Sequence, residues 1–339
     1  MLPNRIVMAP MTRSRSPHRV PGPEVAAYYR KRAEGGVGLI ISEGTYVGHQ
    51  GAGFDPSVPN FAGGEPLAGW KRVVDEVHAC GGRFAPQLWH VGMKTHGAPA
   101  GVEVHPVGPG NMKQADIDSV VRAFGAAAKA AKDIGADAVE LHGAHGYLID
   151  QFFWEGTNQR TDGYGGGIAA RTRFAVEILQ EVRRNVGPDF PVILRFSQWK
   201  IPEYDARLVT TPGELETFLA PLVQAGADVF HCSQRRFWEP EFPGNNLNLA
   251  GWTKKISGKP TITVGSVTLN EEFMATFRSE EGATVTGLDD LLDRMERDEF
   301  DLVAIGRALI ANADWPRRVR NEGASALKPF QKNLLAELS

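Results

Sequence analysis

The sequence has little cysteine, and this scarcity argues against two kinds of site. Only Cys80 and Cys232 occur in 339 residues, and they lie far apart without forming a CxxC pair. Neither a disulfide framework nor a zinc knuckle is therefore predicted. So few cysteines are typical of a protein in a reducing compartment, and we expect a cytoplasmic location.

An excess of one charge and long hydrophobic runs are also missing. The formal net charge is −3, which gives no electrostatic reason to expect binding to nucleic acid or to an anionic membrane. The N-terminal stretch MLPNRIVMAPMTRSRS lacks an apolar signal core, and no run approaches the length that spans a membrane. With 42% hydrophobic residues, the chain has the composition of a soluble globular protein with a sizeable core.

The chain contains instead a repeated alternation of short apolar runs and amphipathic helical stretches. The runs are nearly continuous in apolar residues, many of them β-branched, as is typical of strands in a parallel sheet that helices cover. Eight strands are predicted, at 5–10, 37–44, 83–90, 136–143, 191–197, 227–233, 260–266 and 301–307.

Helices are predicted between these strands, at 70–80, 116–134, 169–186, 213–225 and 288–297 among others. Eight strand–helix units indicate a (β/α)8 TIM barrel, whose active site is built from the loops that follow the strands. Because no low-complexity segment or linker divides the chain, we expect residues 1–339 to form a single domain. Longer loops are expected at its carboxyl-terminal face, at 45–69 and 234–252.

A cluster of polar aromatic residues ends the fourth predicted strand. In ELHGAHGYLIDQF, at 140–152, His142 and His145 are three residues apart and Tyr147 follows two residues later. A metal site, a nucleophile relay, purely structural roles, or a substrate-polarising pair beside a proton donor could each explain the pattern. The HxxH pair supplies too few ligands for a metal, and the chain has no GxSxG nucleophile elbow. Structural roles and a polarising pair with Tyr147 as proton donor both remain open on these residues alone.

The last two strands end in turns that contain glycine, TVGSV and IGRALI. Gly265 and Gly306 would let backbone N–H groups approach a ligand closely, and Arg307 adds a cation. The loops after strands seven and eight of such a barrel commonly bind phosphate. Either glycine alone could be a tight turn, but the two together predict a phosphorylated ligand.

Arg195 lies within the apolar run VILRFS, where an unpaired charge is expensive to bury. Its partner could be a carboxylate, Glu43 or Glu140, or an anionic part of a ligand.

Other groups at the strand ends indicate a flat ligand. Gln87 ends the third strand, Thr12 follows the first, and Gly44 ends the second, where a side chain would crowd a flat ring. A planar heterocycle with a phosphate tail would use all of these groups together with Arg195. That description fits flavin mononucleotide (FMN).

At these motifs the chain resembles the old yellow enzyme family of FMN-dependent ene-reductases. Five segments are similar to that family's, in the same order along nearly the whole barrel: NRIVMAPMTRSRS, ISEGTYV, QLWHVG, ELHGAHGYLIDQFFWEGTNQRTDGYGG and AIGRALIANADW. The fourth is the most specific. The resemblance implies non-covalently bound FMN, NAD(P)H as hydride donor, and small-molecule substrates with an activated C=C bond.

The resemblance also implies roles for individual residues, in three groups. Beside the flavin ring it places Pro10, Met11, Thr12, Gly44, Gln87 and Arg195. At the flavin phosphate it places Ser266, Val267, Gly306 and Arg307, with Gly265 shaping the turn. In the substrate pocket it places Phe54, Trp89, His142, His145 and Tyr147.

The implied reaction has two half-reactions at one site. NAD(P)H first reduces the flavin, and an α,β-unsaturated carbonyl or nitro compound is then reduced by it. His142 and His145 would bind the activating oxygen of that substrate and Tyr147 would protonate its α-carbon. Arg195 would stabilise the anionic reduced flavin.

Two other functions remain open on the residues alone. One is a barrel lyase acting on a phosphorylated substrate with Lys200 as its amine, although Lys200 lies beyond the predicted end of strand five and nothing marks it as desolvated. The other is a non-catalytic flavin-binding redox sensor.

The chain departs from the family at its N-terminus, in the capping region and in its C-terminal tail, GASALKPFQKNLLAELS, which lacks the aromatic-rich ending of many members. Only three residues precede Asn4, so we expect the hairpin that closes the lower end of the barrel to be absent or removed. The segment 97–115 is short for the family's capping region, which predicts an open pocket. A monomer and a homo-oligomer are both compatible with the sequence.

Overall fold

Eight parallel strands close into a barrel in which each strand pairs with its neighbour in the chain and β1 pairs with β8. The structure is a computed structural model and describes residues 1–95, 97–99, 101–201, 203–278 and 282–339. The strands are β1 (Ile6–Met8), β2 (Leu39–Tyr46), β3 (Arg83–Trp89), β4 (Val139–His145), β5 (Val192–Lys200), β6 (Val229–Ser233), β7 (Thr261–Val264) and β8 (Leu302–Ile305). The predicted (β/α)8 TIM barrel is confirmed.

Helices surround the barrel because their sequences place apolar residues on one face. In the helix 173–186, the buried residues Phe174, Ile178 and Val182 recur at four-residue spacing. The described α-helices are α1 (Pro23–Glu34), α2 (Gly64–Ala79), α3 (Gln114–Asp133), α4 (Leu148–Phe153), α5 (Ile168–Arg171), α6 (Arg173–Val186), α7 (Pro212–Gln224), α8 (Leu249–Ser257), α9 (Phe273–Arg278), α10 (Asp289–Glu296), α11 (Arg307–Ala311) and α12 (Trp315–Glu322). Short 3-10 helices lie at Pro17–Arg19, Ala324–Ala326 and Lys332–Leu335.

The inside of the barrel changes from apolar to polar along the strands. A small apolar cluster, which includes Leu39, Ala85 and Ile193, fills the lower interior. Because strand side chains alternate between faces, the residue two positions after Ile193 on the same face is Arg195, and the residue two positions after Ala85 is Gln87. The polar ends of the strands therefore meet at the carboxyl-terminal face, where the loops of such barrels form active sites.

The long loops predicted after the second and sixth strands are present, with shifted limits. They occupy the stretch between β2 and α2 and the stretch between β6 and α8. The described part of the capping region at 97–115 contains no strand, and its residue 100 lies outside the described residues.

The predicted end of the fifth strand is wrong. β5 continues through Gln198, Trp199 and Lys200, all of which are buried. The prediction stopped at Ser197 because polar residues usually mark the start of a loop. Here the polar residues are buried with partners supplied by other elements, as is expected of polar groups in an interior.

Candidate active site

A cavity of about 440 Å³ opens at the carboxyl-terminal ends of the strands. It lies within the size range typical of small-molecule sites. Fourteen of the sequence-predicted site residues line it: Pro10, Met11, Thr12, Gln87, Trp89, His142, His145, Tyr147, Arg195, Gly265, Ser266, Val267, Gly306 and Arg307.

Gly44 and Phe54 are not among the lining residues. A side chain at position 44 would meet Trp89, because an added Cβ would lie 2.6 Å from Cε3 of that indole. In this structure the glycine therefore makes room for Trp89, and its place beside the flavin ring stays a prediction. Phe54 is half-buried and packs against the hydrophobic core.

His142, His145 and Tyr147 converge at the end of β4. The ring centroid of His142 lies 5.1 Å from that of His145 and also 5.1 Å from that of Tyr147. A left-handed backbone at His145 and Gly146, with φ of 66° and 78°, turns the chain sharply after the strand. Tyr147 can then point back into the cavity at the start of α4, where its ring packs edge-on against Trp89.

Burial sets the protonation states of these three groups. It lowers the pKa of both histidines well below the ordinary value, and the positive charge of Arg195 lowers them further. Burial also raises the pKa of Tyr147 to about 12. Near neutral pH each imidazole is therefore neutral and carries one N–H donor, and the phenol keeps its proton.

Arg195 lies in the cavity wall, and no carboxylate of the described residues pairs with it. Its Nη2 donates to Oγ of Ser233 at 3.3 Å, and its buried Nε has no hydrogen-bond acceptor among the described residues. Glu140 does not pair with it in the described structure, since its two oxygens bind Gln87 Nε2 at 2.7 Å and His231 Nδ1 at 2.6 Å. The side chain of Arg195 is thus placed to meet an anionic or hydrogen-bond-accepting ligand.

The other carboxylate suggested as its partner is also engaged elsewhere. Oε2 of Glu43 accepts the backbone N–H groups of Arg13 and Ser14, at 3.0 and 3.2 Å. Burial raises the pKa of Glu43 to about 7. The ion pairs that the sequence offered as an alternative role for Arg195 are therefore not formed between these side chains.

The loops after β7 and β8 bring backbone close to the cavity. Gly265 has a φ of 144°, and a Cβ there would lie 2.8 Å from the carbonyl oxygen of Gln234. Arg307 lines the same end of the cavity and donates to the carbonyl oxygens of Glu271 and Glu272. Burial lowers its pKa to about 10, so it remains a cation at neutral pH. The turn at Gly265 has no room for a side chain, and the guanidinium of Arg307 is held by hydrogen bonds at the same end of the cavity. This arrangement is suited to a phosphate.

Sequence reasoning missed six lining residues with polar or aromatic side chains: Arg13, Trp199, Ser233, Gln234, Arg235 and Phe273. Ser233 could have been found, because it alternates with Val229 and His231 along the predicted strand and so shares their inward face. Trp199 lay beyond the predicted strand end. The loop residue Arg235 carried no comparable signal.

Lys200 is more buried than the sequence suggested, and the expectation that it lies unmarked beyond the strand is wrong. Its side chain is fully buried, and its Nζ donates to Asp150 Oδ1 at 2.7 Å. Burial lowers the pKa of the lysine and raises that of the aspartate. Lys200 is absent from the lining of the cavity, and its amine is held in this pair. The lyase interpretation that used it is not favoured.

Two further properties of the described residues bear on function. No group of three or more histidine, cysteine, aspartate or glutamate side chains among them could hold a metal ion. Within the same part of the chain, none of the helices combines the length and the hydropathy that crossing a bilayer requires.

These residues fit FMN. Arg195 offers a buried donor that has no acceptor among the described residues, the strained turn at Gly265 lines the same cavity as the cation of Arg307, and two neutral imidazoles share that cavity with the phenol of Tyr147. The barrel and this site define a flavin-dependent oxidoreductase. The chain belongs to the NADH:flavin oxidoreductase / NADH oxidase family, whose sequence profile matches residues 1–325.

Individual relatives agree with this membership. The chain is 34% identical to 12-oxophytodienoate reductase 7 of Oryza sativa subsp. japonica, over 94% of this chain and 84% of the relative. It is 33% identical to the putative 12-oxophytodienoate reductase-like protein 1 of Arabidopsis thaliana, over 94% and 96%. The structure of morphinone reductase in complex with tetrahydroNAD superposes with a TM-score of 0.78 at 30% identity, covering 98% of this chain and 90% of that one.

The predicted resemblance is thus confirmed. The protein is an FMN oxidoreductase of the old yellow enzyme family, with a nicotinamide cofactor as hydride donor.

Arg195→Met tests the placement of this cation. The substitution should weaken FMN binding or lower the two-electron reduction potential, because the negative charge of the reduced flavin loses its partner. The loss of a hydrogen bond to a charged group corresponds to about 30–60 mV for a two-electron couple. Flavin released by heat from equal amounts of protein gives the occupancy, and an equilibrium dye titration gives the potential.

Arg171→Met is the matched control. Arg171 is also buried, but it donates to the carbonyl oxygens of Phe153 and Gly166, away from the cavity lining. Arg171→Met should lower the free energy of unfolding and leave the reduction potential of the flavin unchanged. If the two variants behave alike, Arg195 is a structural residue.

Proposed function

We propose that this protein reduces the activated C=C bond of α,β-unsaturated carbonyl or nitro compounds. The observation that carries the proposal is the convergence of two neutral imidazoles and a protonated phenol in one cavity with an arginine that lacks an ion-pair partner among the described residues. Two N–H donors suit an oxygen on which negative charge develops. The phenol suits a carbon that must receive a proton.

The flavin end of the cavity follows from the same residues. We assign the wall formed by Pro10, Met11, Thr12 and Gln87 to the ring system, with Arg195 near its anionic edge. We assign the turn at Gly265 and the residues Ser266, Val267, Gly306 and Arg307 to the phosphate. When bound, FMN would accept hydride from NAD(P)H and pass it to the substrate.

The substrate end is formed by His142, His145, Tyr147 and Trp89. The two histidines bind and orient the activating oxygen, and each such preorganised donor is worth about 2.7–4 kcal/mol when removed. Tyr147 holds the proton that goes to the α-carbon, and burial keeps it protonated. Trp89 packs beside both His142 and Tyr147, which limits the space for water.

The two cysteines of the protein support a reducing, cytoplasmic location for this activity. Both are free thiols, Cys80 half-buried and Cys232 buried. Disulfides are rare in that compartment.

A titration with a para-substituted phenol tests the role of the two histidines. A phenolate is flat and anionic, so it should stack on the oxidised flavin and give a broad long-wavelength charge-transfer band. The band should strengthen as pH rises through the pKa of the bound phenol, because the imidazole donors favour the anion. His142→Ala and His145→Ala should each weaken phenol binding by about tenfold to a hundredfold, the loss of one charge-assisted hydrogen bond.

His78→Ala is the control for these variants. His78 pairs with Asp137 away from the cavity lining, and its removal should leave the band unchanged. A metal site would give the opposite pattern, with activity abolished by EDTA and no new band on adding phenol. That result would show that the two histidines do not polarise an oxygen over the flavin.

A further inference from the structure

Ser233, the last residue of β6, contacts residues from both ends of the proposed site. It is 3% exposed, and its Oγ lies 2.7 Å from Nε2 of His145. The same oxygen accepts a hydrogen bond from Nη2 of Arg195 at 3.3 Å. In the described part of the chain the hydroxyl has no further hydrogen-bond partner. A single buried hydroxyl therefore joins the residue assigned to the flavin with a residue assigned to the substrate.

The ring of His145 is held in one orientation by its surroundings. The backbone N–H of His145 donates to Oγ of Ser197 at 2.9 Å. The indole of Trp199 stacks on the imidazole, with centroids 4.4 Å apart and planes inclined by 26°. The stack fixes the plane of the ring, and Nε2 is the ring nitrogen that lies within hydrogen-bond distance of Ser233.

Counting donors decides which nitrogen of His145 carries the proton. A guanidinium has donors only, so the Ser233 oxygen is the acceptor in its bond with Arg195. The hydroxyl then has one hydrogen to donate, and Nε2 of His145 is the acceptor within reach among the described residues. A neutral imidazole that accepts at Nε2 carries its hydrogen on Nδ1.

The other tautomer, which carries its hydrogen on Nε2, is less favourable because it leaves too few hydrogen-bond acceptors. If Nε2–H donated to Ser233, the hydroxyl hydrogen would have no acceptor among the described residues and would depend on a molecule in the cavity that Ser233 lines. Nδ1 would then present a lone pair, which repels the oxygen of a carbonyl or nitro group. His145 could not act as a donor in that state.

We propose that Ser233 is a positioning residue that fixes His145 as the neutral Nδ1–H tautomer and thereby makes it a donor to the activating oxygen of the substrate. The inference rests on the proposed function, in which His145 binds that oxygen. The donors run in series from Arg195 to Ser233 to His145, and hydrogen bonds in such chains strengthen one another. Negative charge that develops on the substrate oxygen is thus coupled to the arginine through a single hydroxyl.

The tautomer can be measured directly in the FMN-loaded, oxidised protein. With ¹⁵N-labelled histidine, long-range ¹H–¹⁵N spectra distinguish a protonated ring nitrogen from an unprotonated one, and His145→Gln assigns the signals. We expect Nδ1 of His145 to be protonated and Nε2 unprotonated. Ser233→Ala should shift the ring toward a mixture of tautomers. A protonated Nε2 in the unsubstituted protein, or an unchanged ring in Ser233→Ala, would overturn the proposal.

Phenol binding supplies a second readout that separates this proposal from the proposed function. Ser233→Ala should weaken the charge-transfer complex by about tenfold, the effect of one hydrogen bond to a charged group. Ser257→Ala, which removes a hydroxyl bonded to Thr253 at the end of α8, should not weaken it. If the unsubstituted protein gives no band, the proposed function fails. If the band is present and equally strong in Ser233→Ala, the role of Ser233 alone fails.

Discussion

Tyr147→Phe is expected to slow the reoxidation of the reduced protein by cyclohexenone by a factor of about 10²–10⁴, the usual contribution of a positioned general acid. Reduction of the flavin by NAD(P)H should remain close to normal, because that step needs no proton from Tyr147. The substitution removes only the hydroxyl, so the ring should keep its packing against Trp89. Stopped-flow absorbance of the flavin measures each half-reaction separately.

The pH dependence of the unsubstituted protein gives an independent check on the same residue. Burial raises the pKa of Tyr147 to about 12, compared with an ordinary value of 10.0. A raised pKa means that the proton-donating form persists to higher pH, so reoxidation should not slow as pH passes through 10. It should slow only as pH approaches the raised value.

Tyr164→Phe is the matched control. Tyr164 is also buried, but its hydroxyl donates to Glu177 outside the cavity lining. Both half-reactions should stay normal in this variant. An equal loss of both half-reactions in Tyr147→Phe would mean that Tyr147 has only a structural role.

Lys200→Met is expected to lower the free energy of unfolding by about 3–5 kcal/mol, because it leaves the carboxylate of Asp150 buried without its partner. Both side chains are fully buried, and Asp150 Oδ2 also accepts the backbone N–H of Gly146 at 2.7 Å. The pair thus ties the turn after β4 to the end of β5. Chemical denaturation followed by tryptophan fluorescence measures the change.

Two comparisons make the stability result specific. Adding Asp150→Asn to Lys200→Met removes the unpaired charge but keeps an acceptor for Gly146, and it should recover part of the loss. Lys71→Met breaks an exposed i,i+4 pair with Asp75 and should change stability by only about 0.3–0.5 kcal/mol. Equal effects of Lys200→Met and Lys71→Met would contradict the account of a buried ion pair.

The sequence predicted the barrel well because its strands carry a strong local signal. Each strand is a short, nearly continuous apolar run, and the polar residues that interrupt the runs recur at the carboxyl-terminal ends. Gln87 and Arg195 could be placed in the cavity from this alternation alone. His142, His145 and Tyr147 were singled out because the three lie within six residues of one another, so their proximity needed little knowledge of the fold.

What the sequence could not provide depends on contacts between distant strands. The bond between Ser233 and His145 joins β6 to β4, and that between Lys200 and Asp150 joins β5 to α4. No local pattern specifies such pairs, so the end of β5 was set too early. The contact between Gly44 and Trp89 was also not predicted, because it depends on a register shift between β2 and β3 that lies between Ile41 and Gly44.

An anaerobic titration of the purified protein tests the central claim most directly. The protein should be yellow, lose its flavin absorbance on adding one equivalent of NAD(P)H under argon, and regain it on adding cyclohexenone. A colourless protein would contradict the flavin site formed around Arg195 and Arg307. A flavin that NAD(P)H reduces but cyclohexenone does not reoxidise would indicate a redox sensor and contradict the proposed reduction of activated C=C bonds.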